Sequence, residues 1–325
     1  MEFQIKVLLL AFAIGFVISL VVIPMLKRLK VGQMERDDGP QSHLKKQGTP
    51  TMGGIIMIVT ILVVCAGLYM SYRNSEPEVA RNLIPLVLAT VGFGIIGFID
   101  DFKKVVLHNT KGLKPMYKMI GLLLISVVYT LFLTMVLKMG TDIYIPFAKT
   151  TLTLPIWIYI PFAIIVLLST TNAVNLTDGI DGLSTSVTTI ILTCLTVIGI
   201  IFGIKEITLF GTVLIGTCLA FLLFNLHPAK VMMGDTGSLM LGGAIAVIAL
   251  YLKMPILLIL IALVPVIETL SVMIQVKHYK KTGNRIFKMA PIHHHFELCG
   301  WRENTIVSVF SVVTLILCII GLVAI

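Results

Sequence analysis

Charge is scarce in this sequence. Charged residues make up 13% of its 325 positions, against 57% hydrophobic, where an average soluble domain is about a quarter charged. That balance excludes a water-soluble globule of ordinary composition. The alternating polarity that builds a membrane β-barrel is also missing, which leaves helices as the spanning form. Cysteine is sparse as well: Cys65, Cys194, Cys218, Cys299 and Cys318 form no C-x-x-C pair, and four of them lie inside apolar runs. Such placement suits small buried hydrophobes rather than disulfides or a metal cluster. The first apolar run lacks a small-residue cleavage site, so it is expected to stay as a span.

What the sequence does have is long uncharged stretches, and about 20 such residues cross the hydrocarbon core as a helix. Ten are readable, at 4–26, 52–71, 83–99, 119–138, 155–171, 185–203, 207–226, 237–252, 256–276 and 304–324. The expected fold is all-α, a polytopic membrane protein with about ten transmembrane helices forming a single domain over 1–325. Pro265 is expected to kink the ninth span or free a carbonyl, and Glu268 follows one turn later. The segment T-D-I-Y-I-P-F-A-K-T-T-L-T-L-P at 141–155 is rich in β-branched and aromatic residues and predicts a short hairpin.

The loops alternate sides, so their charges can be compared. One side collects 18 Lys and Arg and the other 7. The rich side is expected to be cytoplasmic, which puts both termini outside. The formal net charge of +9 gathers in loops beside spans, a pattern that fits a lipid surface rather than nucleic acid.

Polar side chains gather on that same side. D-D-F-K-K at 100–104 offers two hard-oxygen carboxylates, Asp100 and Asp101, with Lys104 close by for a phosphate. That set suits Mg²⁺, although a solvated helix end with an ion pair would read the same. In N-A-V-N-L-T-D-G-I-D-G-L at 172–183, Asn172, Asn175 and Asp178 step by three and share a face if the fifth helix continues. Gly179 and Gly182 permit a positive φ or close approach by a ligand, and Asp181 lies between them.

F-N-L-H-P-A-K-V-M-M-G-D-T-G-S-L at 224–239 holds Asn225 and His227, then Asp235 where it can cap the eighth span. A helix N-terminus there also suits an anion. P-I-H-H-H-F-E at 291–297 carries His293, His294 and His295. Adjacent side chains seldom converge on one ion, so phosphate donation or orientation of a neighbour fits better than zinc. In G-T-P-T-M-G-G at 48–54, Pro50 starts a helix and Thr51 offers a hydroxyl near its N-terminus. Gly53 and Gly54 also allow tight helix packing.

These five segments, in this order and over essentially the whole chain, resemble the polyprenyl-phosphate N-acetylhexosamine-1-phosphate transferases. The His-His-His form is similar to the branch that uses UDP-N-acetylmuramoyl-pentapeptide, rather than the sibling that moves N-acetylglucosamine phosphate. The resemblance implies transfer of the phospho-sugar to undecaprenyl phosphate, giving lipid I and UMP, with Mg²⁺ as cofactor. It further implies a homodimer in the bacterial plasma membrane, with its site on the cytoplasmic face.

Carried onto this chain, the resemblance makes Asp100, Asp101 and Asp235 the expected catalytic residues, with Asp100 a candidate base. Asp235, Asp101 and Asp178 are the expected metal residues. Thr51, Lys104, Lys111, Lys114, Asn172, Asn175, Asp178, Asp181, Asn225, His294 and His295 are the expected substrate contacts. A transporter is the alternative of another class. Transporters place their sites near the bilayer midplane, whereas here Glu268 is the main charge well inside a span and the Asp groups sit at one interface.

Overall fold

The computed structural model describes residues 2–28, 48–105 and 112–325. Its elements in order are α1 (Glu2–Arg28), α2 (Gly54–Tyr72), α3 (Pro77–Val105) and α4 (Pro115–Leu131), the last prolonged by a π-turn over Phe132–Val136. The strands β1 (Asp142–Ile145) and β2 (Thr150–Thr153) come next. Then follow α5 (Ile156–Thr177), α6 (Leu183–Ile201), α7 (Lys205–Asn225) and α8 (Gly234–Tyr251). The chain finishes with α9 (Leu257–Ile261), α10 (Leu263–Thr282), α11 (Ile292–Leu298) and α12 (Glu303–Val323).

Nine helices among the described residues are long and apolar enough to cross a membrane, so the all-α polytopic class holds. The span expected at 256–276 is the exception. It breaks at Ala262 into α9 and α10. Pro265 has no N–H, and its ring excludes the carbonyl of Ile261, so the helical ladder cannot run through this point.

The eighth helix is the axis of the bundle. Of its apolar window 89% is buried, against 33% for α1 and for α12, so those two form the rim while α8 packs on α3 and α5. Small residues make this closeness possible. A Cβ on Gly97 of α3 would sit 2.1 Å from the Asp235 carbonyl oxygen, and one on Gly54 of α2 would sit 2.2 Å from the Gly237 nitrogen. The tight-packing role foreseen for Gly53 and Gly54 is therefore real, and it also locks the start of α2 onto the start of α8. Gly53 and Gly54 donate their N–H groups to the carbonyls of Met232 and Met233 at 2.9 and 3.0 Å.

The bundle has two different ends. At one, β1 and β2 pair as the antiparallel hairpin expected in 141–155. Asp142 meets Lys253 at 2.9 Å there, and the Phe147 N–H donates to the Ala324 carbonyl. The end of α3, the start of α4, the turns after α5 and α7, α11 and the start of α12 all meet at the other.

Candidate active site

The polar end is organised around the first turn of α8. Asp101 is buried on α3 and accepts from the N–H of Asp235 at 3.1 Å, the N–H of Thr236 at 2.8 Å and the Thr236 hydroxyl at 2.6 Å. A carboxylate so placed satisfies donors that the helix leaves open and lies at the positive end of its dipole. The cap of α8 is thus lent by a neighbouring helix. Asp235, expected to cap α8 itself, makes no such bond.

Asp235 points instead into a cluster of lysines and amides. Its Oδ2 lies 2.7 Å from Lys104 Nζ and 3.1 Å from Lys118 Nζ, while its Oδ1 accepts from the Asn175 amide at 2.7 Å. Lys104 also touches Asp100 Oδ2 at 2.7 Å, and Lys118 approaches that oxygen at 3.7 Å. The other oxygen of Asp100 accepts the Leu113 N–H at 2.6 Å. Asp100 and Asp235 therefore share two ammonium groups.

Asp178 terminates α5 at the rim of this cluster, partly exposed, and its carboxylate makes no hydrogen bond or ion pair among the described residues. Desolvation first, then the charges of Asp235, Asp101 and Asp181, push its carboxyl up to about 8. Thr51 completes the floor. A Cβ on Gly234, whose φ is +71°, would lie 2.9 Å from the Thr51 hydroxyl and 2.6 Å from Asp101 Oδ2. Only a glycine admits that backbone between those two side chains.

A second group lies alongside. Asp181 is buried, and its Oδ2 accepts the Ala229 N–H at 3.0 Å and lies 3.0 Å from His227 Nδ1. Glu303, at the start of α12, comes within 3.7 Å of the same ring nitrogen. Asp181 thereby ties the turn after α5 to the turn after α7.

Of the residues expected from the sequence, Thr51, Asp100, Asp101, Lys104, Asn175, Asp178, Asp181 and Asp235 meet at this end. The others divide differently. Lys114 is exposed and outside the cluster, and Lys118, one helical turn on, takes the place expected for it. Lys111 lies outside the described residues.

Asn172 turns back to its own helix, donating to the Leu168 carbonyl at 2.7 Å. Asn225 is spent on structure: it accepts the Thr185 hydroxyl at 2.7 Å and donates to the Val231 carbonyl at 3.0 Å, pinning the turn that leads into α8. His294 pairs with Glu297 at 2.6 Å, and His295 accepts the Lys288 N–H at 3.1 Å. The histidine that packs against the 178–182 turn is His293.

Residues 83–253 match the glycosyl transferase family 4 pattern. That stretch runs from α3 past α8 and carries the whole Asp100–Asp235 cluster, so fold and site together define a membrane-embedded transferase of this class. Residues 46–58, which lead into α2, match signature 1 of phospho-N-acetylmuramoyl-pentapeptide-transferase.

Proteins bearing that name align nearly end to end. One from Clostridium botulinum (strain Alaska E43 / Type E3) is 50% identical over 322 residues, 98% of this chain and 95% of its own. One from Acetivibrio thermocellus is 47% identical over 317 residues, 97% of this chain and 93% of its own. One from Caldicellulosiruptor bescii is 45% identical over 316 residues, covering 97% and 95%. The chain belongs to the phospho-N-acetylmuramoyl-pentapeptide-transferase family.

Proposed function

We propose that this protein moves phospho-N-acetylmuramoyl-pentapeptide from its UDP-linked donor to undecaprenyl phosphate, releasing UMP and leaving lipid I in a bacterial plasma membrane. The observation that carries this reading is the shared pair of lysines. Lys104 and Lys118 both stand between Asp100 and Asp235 at one end of an apolar bundle. A lipid-borne phosphate and a water-soluble diphosphate can meet only at such an end. Both are anions, so cationic groups must already be waiting there.

The donor set fits Mg²⁺. Two carboxylates close enough to share one ammonium can also share a divalent ion, and Asp178 adds a carboxylate with no partner of its own. Every ligand offered is a hard oxygen. Asp235 would hold the ion, with Asp178 beside it and Asp100 Oδ2 left for the acceptor. When bound, it would neutralise the diphosphate and stabilise the departing UMP. Asp101 has a different part, because its oxygens are taken by the first turn of α8.

The chain's own groups do the rest. Lys104 and Lys118 exchange carboxylate for phosphate when substrates enter, which places positive charge at the diphosphate. The acceptor oxygen of the lipid phosphate attacks the sugar-linked phosphorus, and the bond from that phosphorus to the UMP oxygen breaks. Once Lys104 has shifted, Asp100 Oδ2 is free to take a proton from the acceptor. That help matters mainly at low pH, since a phosphate monoester loses its second proton near pH ~6. Asn175 fixes Asp235 through Oδ1. The turn carrying Asp178 and Asp181 forms the wall on which the uridine side of the donor rests. Positioning and charge compensation dominate such transfers.

The test is a product assay. Purified protein with Mg²⁺, undecaprenyl phosphate and UDP-N-acetylmuramoyl-pentapeptide is expected to yield lipid I and UMP in equal amounts, and EDTA to stop both. A faster reaction with UDP-N-acetylglucosamine would overturn the donor assignment.

A further inference from the structure

Outside the Asp100–Asp235 cluster, the described residues contain one acid–base pair that is buried completely. Glu268 and His293 each have 0% of their surface exposed. Glu268 Oε2 lies 3.1 Å from His293 Nδ1 and accepts the His293 backbone N–H at 3.4 Å. Glu268 stands just past the break at Ala262, on α10, and His293 is the second residue of α11. Burying two ionisable groups costs several kcal/mol unless they are well paired. Glu268 also takes an open N–H in the first turn of α11, so the carboxylate fixes where that helix, and with it the His293 ring, sits.

The opposite edge of the His293 ring faces the site. A Cβ on Gly179 would lie 2.1 Å from His293 Nε2 and 2.7 Å from its Cε1. Glu268, His293 and Gly179 thus form a line from inside α10 to the turn between Asp178 and Asp181. Neither Glu268 Oε1 nor His293 Nε2 has a hydrogen-bond partner, so the ring is held by Glu268 on one side and by the glycine backbone on the other.

We infer that Glu268 is a positioning residue for the nucleotide donor, acting through His293 on the turn that carries Asp178 and Asp181. The inference rests on the donor reading above and adds a distant residue to it. Without the carboxylate, the ring is no longer drawn toward α10 and the turn loses its backing. On the donor reading this turn backs the nucleotide and not the lipid acceptor, so the donor KM is the one expected to move.

Wild type, Glu268→Ala, Glu268→Gln and Gly179→Ala are purified, and kcat and both substrate KM values are measured with thermal unfolding alongside. Glu268→Ala is expected to raise the donor KM about tenfold or more, with kcat and acceptor KM each within about threefold of wild type. Glu268→Gln keeps the shape and an oxygen acceptor, and is expected to recover most of the donor affinity. Gly179→Ala pushes the same ring from the other side and gives the same donor-specific defect. In the double variant the two effects should not add, because both pass through one ring.

Wild type that forms no lipid-linked product would sink the donor reading itself. Active wild type with an unchanged donor KM in folded Glu268→Ala would sink this inference alone, as would donor and acceptor KM rising together. Should Glu268→Ala fail to fold, an unchanged donor KM in Gly179→Ala overturns the inference equally.

Discussion

Asp101→Asn separates two roles that look alike on paper. In the structure Asp101 accepts three hydrogen bonds from the first turn of α8, at 3.1, 2.8 and 2.6 Å. Asparagine has one oxygen and turns its NH₂ toward a donor. The change therefore loses at least one charge-assisted hydrogen bond, about 1.5–3 kcal/mol. It also loses the attraction of the carboxylate for the helix N-terminus, up to ~2 kcal/mol when buried. A total near 2–4 kcal/mol is expected, or a fall of roughly 3–6 °C in the unfolding midpoint. Activity should fall too, because one of the three donors is the Asp235 backbone. Thermal unfolding in detergent and turnover across a Mg²⁺ series read both effects. A cap predicts lost stability that added Mg²⁺ does not restore. Unchanged unfolding, with activity recovered at high Mg²⁺, would refute the cap and return Asp101 to the metal.

Lys118→Met is expected to cost about 100-fold in kcat/KM, on the scale of other electrostatic contacts to a developing charge, while Lys114→Met stays within about threefold; steady-state kinetics with the donor compares them. Asp178→Asn tests the raised carboxyl. The unfolded chain ionises near 3.8 and the folded one near 8, so the folded state holds the extra proton between them and stability declines as pH rises through that window. The variant should match wild type near pH 4 and exceed it above pH 8 by at least ~1 kcal/mol, or roughly 1.5 °C or more in a pH series of melts. Equal melts at both ends would contradict the shift. Gly97→Ala drives a methyl into the Asp235 carbonyl and should abolish activity. Gly67→Ala meets nothing within 4 Å and should be neutral or stabilising by up to ~1 kcal/mol; turnover and melting of both variants check this.

The spans were legible because hydrocarbon thickness dictates their length. Runs of about 20 apolar residues have no other common use. The polar segments were legible for a related reason: carboxylates and amides at a membrane edge are costly and need a purpose. The choice between neighbours was not legible. Lys114 and Lys118 differ by one turn, and only the rotation of α4 against α5 and α8 makes Lys118 the one that reaches Asp235. His293, His294 and His295 are equivalent until α11 forms and turns one ring inward. Asn225 looked like a ligand group because its two partners, Thr185 and the Val231 carbonyl, lie on other segments of the chain. Pro265 announced a disturbance, but whether it would bend the helix or cut it depended on packing around Ala262.

The pairing of Lys104 with Asp235 joins positions 131 residues apart, and this bears on how the protein is made. A membrane chain is inserted from its N-terminus, so α3 enters long before α8 exists. During that interval Lys104 has only its own helical neighbour Asp100 to neutralise it, and Asp101 has no helix end to meet. The later arrival of α8 supplies the missing partners, and α11 comes later still with His293. A chain that stops before α8 lacks Asp235 and so lacks half of the carboxylate pair that the two lysines share. The shared lysines of the site therefore gain their second carboxylate only when α8 docks on α3 and α4.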